Sequence, residues 1–277
     1  STNQQVSRET IGFIQILSDG ETLRRAAQQL VSRLPALDEF AMVSTEGDAG
    51  MRKAISGMMD EDAFHLRLSE IFNDYLLTDK YHSRNGSEAA ISLLSSDDFP
   101  NRRWFDPGKE NRGENYNAER RATNDGVARE PLELISHVVR NDLPFTQILT
   151  ADYMMVNPLS AKTYGVEGLP FSSPSDANEF LPVQLADVPH AGILTSPMFL
   201  NRYPTTSTTR NRGRARVVFD LFLDTDVLAI EGGRPGNSVD ITTPIPTINN
   251  PECSKCPSLI DPVASVFQNW NHKGQYR

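Results

Sequence analysis

The sequence predicts a mainly α protein: a helical bundle, then a second helical portion, then an extended C-terminal arm. Three observations predict it. Apolar residues recur at spacings of three and four through residues 21–77, and the same spacing returns in shorter stretches after residue 117. The stretch 226–250 is rich in Gly, Pro and Thr and reads as an extended surface arm. With 277 residues, 38% of them hydrophobic and 23% charged, the chain can bury a sizeable core in one large domain or two smaller ones. Its 17 Gly and 18 Pro are too few for a disordered or collagen-like chain.

The elements follow in order. Residues 21–33 place Leu23, Ala26, Ala27, Leu30 and Val31 on one helical face, with Asp19 or Gly20 as the start signal. Pro35 opens a second helix carrying Leu37, Phe40, Ala41 and Val43, and Gly47 to Gly50 break the pattern before a third helix over 51–59. A fourth, over 61–77, aligns Phe64, Leu68, Ile71, Phe72, Tyr75 and Leu76. Residues 1–96 thus form the expected N-terminal bundle. Residues 97–121 are crowded with charge, Asn, Gly and Pro around Trp104 and Phe105, and read as a charged connection. Residues 122–277 hold the second portion. Helical spacing over 117–142 is expected to be kinked or split at Pro131. Further helices are expected over 145–151, 158–164, 195–200 and 211–223, with a loop over 165–188. Phe267 and Trp270 are expected to pack the terminal arm back onto the body.

Net charge and hydropathy narrow the partners. A formal charge of −9 opposes general attraction to nucleic acid or anionic lipid, so neither is expected as a partner. No apolar run approaches the roughly 20 residues that span a bilayer, so no transmembrane segment is expected. The chain opens on Ser1, which suggests that a preceding segment, such as an export leader, has been removed.

Candidate chemistry centres on Cys253 and Cys256. Two thiols three residues apart close a small disulfide ring in an oxidising compartment. A redox dithiol lacks the surrounding βαβ pattern, and zinc lacks a second ligand pair. Haem c attachment uses two such thiols followed by a His that ligates iron, whereas Pro257 stands at that place. Of the five histidines, His272 is nearest in sequence and is the candidate substitute axial ligand, with His190 second. The five arginines between 202 and 216 suit carboxylate or phosphate, but pairing with acidic residues or with carbonyls at helix ends is the favoured reading. Asp74, Asp79, Asp152 and Asp261 stand beside aromatic or Pro residues and are expected to cap helices or form ion pairs. Esterase-elbow, phosphate-loop, zinc-protease and dinucleotide motifs are all missing, so no catalytic residue is assigned.

Five phrases, LRRAAQQLVSRLP, FNDYLLTDKY, LTADYMMVNPLSAKTYG, AGILTSPMFLNRYPTTSTTRNRGRAR and NNPECSKCPSLIDPVASVFQNWNHKGQYR, run in order from about Leu23 to Arg277. Together they resemble exported bacterial proteins carrying planctomycete-type cytochrome c-associated domains of unknown function. In that family the closing segment reads as a C-x-x-C-H haem string followed by Asp-Pro and a Phe-Gln-Asn phrase; Cys253, Cys256, Asp261, Pro262, Phe267, Gln268 and Asn269 match it, and Pro257 departs from it. The resemblance implies export, hence a periplasmic or extracellular location, and an ancestry near electron transfer. The departure implies that no cofactor is held, haem c on Cys253 and Cys256 being the alternative. The expected function is a non-catalytic accessory or structural subunit whose partners are protein subunits of a membrane electron-transfer complex, respiratory or photosynthetic. A monohaem cytochrome with an unusual axial ligand and a secreted polymer-binding or polymer-degrading protein are the alternatives.

Overall fold

In the computed structural model, residues 17–77, 104, 108–206, 210–227, 229, 251–272, 274 and 276 are described, apart from the side chains of 251–257. The chain is mainly α and divides into two units, residues 1–71 and 72–277.

The first unit is built from α1 (Asp19–Val31), α2 (Leu37–Glu46), α3 (Asp48–Met59) and the start of α4 (Asp62–Leu76). These are the four helices expected. α1 starts on a reciprocal cap, Ser18 Oγ accepting the Glu21 N–H while Glu21 Oε2 accepts the Ser18 N–H at 2.9 Å. Leu23, Ala27 and Val31 follow at four-residue intervals and are buried against Val43 of α2 and Ala54 and Met58 of α3. Gly50 permits the close α2–α3 crossing, since a Cβ there would lie 2.3 Å from the Met42 carbonyl oxygen. Arg33 then ties the end of α1 to Glu39 of α2 and to Glu61 ahead of α4.

The second unit is arranged around α5 (Tyr116–Arg140), which is preceded by a 3-10 turn over Lys109–Asn111. α5 runs as one helix through Pro131, where a kink or a split was expected, so the split does not occur. Burial overrides the local cost: Val127, Ala128, Glu130, Pro131, Leu132, Leu134, Ile135 and Val138 are all buried, so tertiary contact holds the helix across the missing N–H. After α6 (Gln147–Thr150) comes β1 (Met154–Val156), then α7 (Pro158–Tyr164), then β2 (Leu181–Val183) inside the stretch expected to be loop. β1 and β2 pair antiparallel, Met154 opposite Val183 and Val156 opposite Leu181. Met154, Val156 and Ala161 fill the small core beneath them.

α8 (Pro197–Arg202), α9 (Arg212–Leu223) and α10 (Pro251–Val266) complete the unit. α10 corrects the expected extended C-terminal arm. Ile260, Ala264 and Phe267 recur at helical spacing and are buried. Ile260 and Ala264 pack with Ala215 of α9, and Phe267 and Trp270 pack with Leu200 of α8, so the expected return of the tail onto the body does occur. The remainder of the expected arm, residues 230–250, lies outside the described residues, as does Asp79.

Candidate functional site

Two polar constructions stand out in the second unit. The first is a buried cluster between α5 and α7. Asn157 caps α7, its Oδ1 accepting the Leu159 N–H at 3.1 Å and the Ser160 N–H at 2.8 Å, while its Nδ2 donates to the Ala177 carbonyl at 3.0 Å. Pro158 at the first helical position fits this start. Gly126 of α5 leaves the room: a Cβ there would stand 2.7 Å from Asn157 Nδ2. One turn further along α5, Glu130 is 1% exposed and its Oε2 accepts the Tyr164 hydroxyl at 3.1 Å. Burial raises the Glu130 carboxyl well above the usual carboxylate range, against the opposing bonds from Tyr164 and Ser160. Glu130 Oε1 and Thr163 Oγ1 have no hydrogen-bond partner among the described residues.

The second construction joins α8, α9 and the tail. Arg214 is fully buried, and its five guanidinium N–H groups all donate to oxygen: Nε to Tyr203 O (2.8 Å), Nη1 to Asn211 Oδ1 (3.0 Å) and Trp270 O (3.2 Å), Nη2 to Leu200 O (2.8 Å) and Asn271 O (2.6 Å). Burial brings its pKa down to about 10, which leaves it charged at neutral pH. Asn211 also donates through Nδ2 to Phe267 O at 3.0 Å. Beside this joint Arg212 makes a two-pronged ion pair with Asp261 of α10, Nε to Oδ1 at 2.6 Å and Nη2 to Oδ2 at 2.8 Å, and Asp261 is held below the usual carboxylate range by it. Two of the five clustered arginines therefore do what was expected of them, pairing with carbonyls and with an aspartate.

Next to that ion pair lies a cleft of about 630 Å³, whose walls include Thr206, Arg210, Arg212, Asp261, Gln268 and His272. A shallower groove of about 330 Å³ sits near β2, where Gln184 donates to Asp152 at 2.6 Å and the Tyr153 hydroxyl to Gln147 at 3.1 Å. His137 stacks edge-on against Tyr153 there.

The residues expected at a haem or disulfide are distributed as follows. Cys253 and Cys256 lie in the first turns of α10; their sulfurs, and so the expected disulfide, fall outside the described residues. His272 is exposed on the cleft wall beyond the end of α10, whereas Cys256 lies near its start. His190, the second candidate, instead accepts the Leu185 N–H on Nε2 at 3.2 Å. α10 contains no histidine, so its residues do not fit a haem c in the usual ligation. Asp74 is exposed on α4. Sequence reasoning missed Glu130, Asn157, Tyr164 and the individual role of Arg214. The Asn-Pro start of α7, and an acid between Val127 and Leu134 on an apolar helical stripe, were the available signals for the first two.

Residues 43–166 are similar to a family described as a protein of unknown function (DUF1592). That stretch contains Gly126, Glu130, Asn157, Ser160 and Tyr164 of the polar cluster and stops short of Ala177, Arg214, the large cleft and α10. No curated protein and no solved structure matches the chain. Among the described residues no helix is long and apolar enough to cross a membrane.

Proposed function

We propose that this chain is a non-catalytic accessory or structural subunit, periplasmic or extracellular, that docks on a membrane-bound electron-transfer complex, respiratory or photosynthetic. The reading rests on the sequence resemblance to cytochrome c-associated proteins, and α10 supplies the observation that carries it. The segment that resembles a haem-attachment site has Pro257 in the place of the iron ligand, and protein contacts hold the part of α10 that follows it. Ile260, Ala264 and Phe267 are buried by neighbouring helices, and Asp261 is engaged by Arg212. An anchorage made by the protein's own side chains supports a reading in which no porphyrin holds this part of the chain.

Purification of the native chain from membranes of its host, followed by visible absorption with and without the co-purifying proteins, tests the reading. The expected result is a cytochrome-bearing complex in the co-purified material and no Soret band from the isolated chain. A mass increment of one haem on the peptide containing Cys253 and Cys256 overturns it, and so does a chain that never associates with a cytochrome-bearing complex.

A further inference from the structure

Where α1 turns into α2, the chain displays two leucines to solvent. Leu34 is 63% exposed and Leu37 is 88% exposed, so neither serves the core that Leu23, Ala27 and Val31 form with α2 and α3. The loop that carries them is held in place. Arg33 Nη1 donates to the Leu34 carbonyl at 3.0 Å, Glu39 Oε2 accepts the Ala36 N–H at 2.7 Å, and Pro35 restricts the backbone between them. The same guanidinium reaches both carboxylate oxygens of Glu61, which brings the corner between α3 and α4 alongside. Met59, two residues ahead of Glu61, is exposed there as well. The charge around these apolar side chains is one-sided: residues 33–39 and 59–62 contain the carboxylates of Asp38, Glu39, Asp60, Glu61 and Asp62 and a single cation, Arg33.

We infer that this double corner is a docking surface for a cationic amphipathic segment of another protein, with aliphatic side chains seated on Leu34 and Leu37 and lysines or arginines facing the carboxylates around them. Two leucines presented from a braced loop offer apolar contact area while losing little conformational freedom on binding. The excess of carboxylates attracts a basic partner and sets its orientation. A second copy of this chain fits poorly, because it would bring the same acidic corner against itself, and an anionic membrane is repelled for the same reason. The inference goes beyond the docking role proposed above: it names a surface and the chemistry opposite it, and it holds or fails whether or not an electron-transfer complex supplies the partner.

Isothermal titration of the full chain with three synthetic peptides tests it: an amphipathic helical peptide of Leu and Lys, one of the same pattern with Glu for Lys, and one with Gln for Leu. Saturable binding of the Leu–Lys peptide is expected, weakened by added salt, with weaker binding of the peptide lacking Leu and none of the peptide carrying Glu. Leu34→Ser combined with Leu37→Ser is expected to weaken Leu–Lys binding by about tenfold or more and to leave the melting temperature unchanged, because both side chains are exposed. Asp38→Asn combined with Asp60→Asn is expected to weaken it too and to flatten its salt dependence, and serves as the variant should the leucine pair not fold. The inference is overturned by Leu–Lys binding that is equal in the variants, by equal binding of the Glu peptide, or by no saturable binding at submillimolar concentration. Dimerisation of the chain in sedimentation, or its binding to phosphatidylglycerol vesicles, overturns it as well if either is lost in the leucine variant.

Discussion

The Nη2 of Arg214 lies 2.6 Å from the main-chain carbonyl oxygen of Asn271, fifty-seven residues further along the chain. Four more bonds from the same guanidinium reach Leu200, Tyr203, Asn211 and Trp270, so one side chain fastens the end of α8, the start of α9 and the tail after α10. Its acceptors are neutral carbonyl and amide oxygens. Five of them satisfy all five donors, which is what allows a cation to remain buried.

Replacing Arg214 should be among the most damaging single changes in the second unit. Arg214→Met leaves four main-chain carbonyls without their donor, and a loss of roughly 3 to 5 kcal/mol is expected. Arg214→Lys should rescue little, since three donors on a point charge cannot reach five acceptors. Urea unfolding followed by far-UV circular dichroism measures both.

Glu130 gives the second unit a pH dependence of definite sign. Its pKa is raised in the folded state, so the contribution is fully present below the unfolded value near 4.5 and is lost as pH rises toward the folded value. Stability should fall by up to about 1.4 kcal/mol per pH unit over that window. Glu130→Gln keeps the shape and the acceptor for Tyr164 but does not titrate, so its melting temperature should be flatter with pH and higher than that of the parent chain above neutrality. Parallel pH slopes for the two chains would show that Glu130 ionises freely.

Gly126→Ala tests the contact between α5 and the Asn157 cap. The added methyl group would press on both Asn157 side-chain atoms, at 2.7 Å from Nδ2 and 2.8 Å from Oδ1, so either the cap bonds or the helix must shift. A loss of about 1 to 3 kcal/mol is expected, read from thermal unfolding.

In the first unit Arg33 supports Glu39 and Glu61 together, and it holds the Glu39 carboxyl below its usual range. A lowered acid contributes above its unfolded pKa, and that contribution is lost as pH falls through the folded value. Because the guanidinium is about one-third exposed, Arg33→Ala should cost no more than about 1 kcal/mol at neutral pH. The variant should also lose less stability than the parent on acidification from pH 5 to pH 3, measured by thermal melts across that range.

The bundle helices were legible because their burial follows local spacing: Leu23, Ala27 and Val31 mark the inner face of α1 before any tertiary contact is known. The continuity of α5 through Pro131 and the helical state of α10 were less legible, because the burial that supports them, of Leu134 and Ile135 in one case and of Ile260 and Ala264 in the other, depends on partners elsewhere in the chain. β1 and β2 are three residues each, too short for alternation to register. Among the candidate residues, Asp261 was read correctly as an ion-pairing group. The cluster of arginines could be recognised, but not which of them is buried, because the acceptors around Arg214 are mostly main-chain carbonyls that every residue possesses.

The Arg214 joint also dictates an order of events during synthesis. The core of the first unit draws on residues 23–64 and can close while the rest of the chain is still being made. The joint of α8 and α9 finishes later: when α9 has left the ribosome, the Arg214 guanidinium still lacks two acceptors, which arrive only with Trp270 and Asn271. A nascent chain truncated before residue 270 should therefore be protease-sensitive from α8 onward while the first unit is closed.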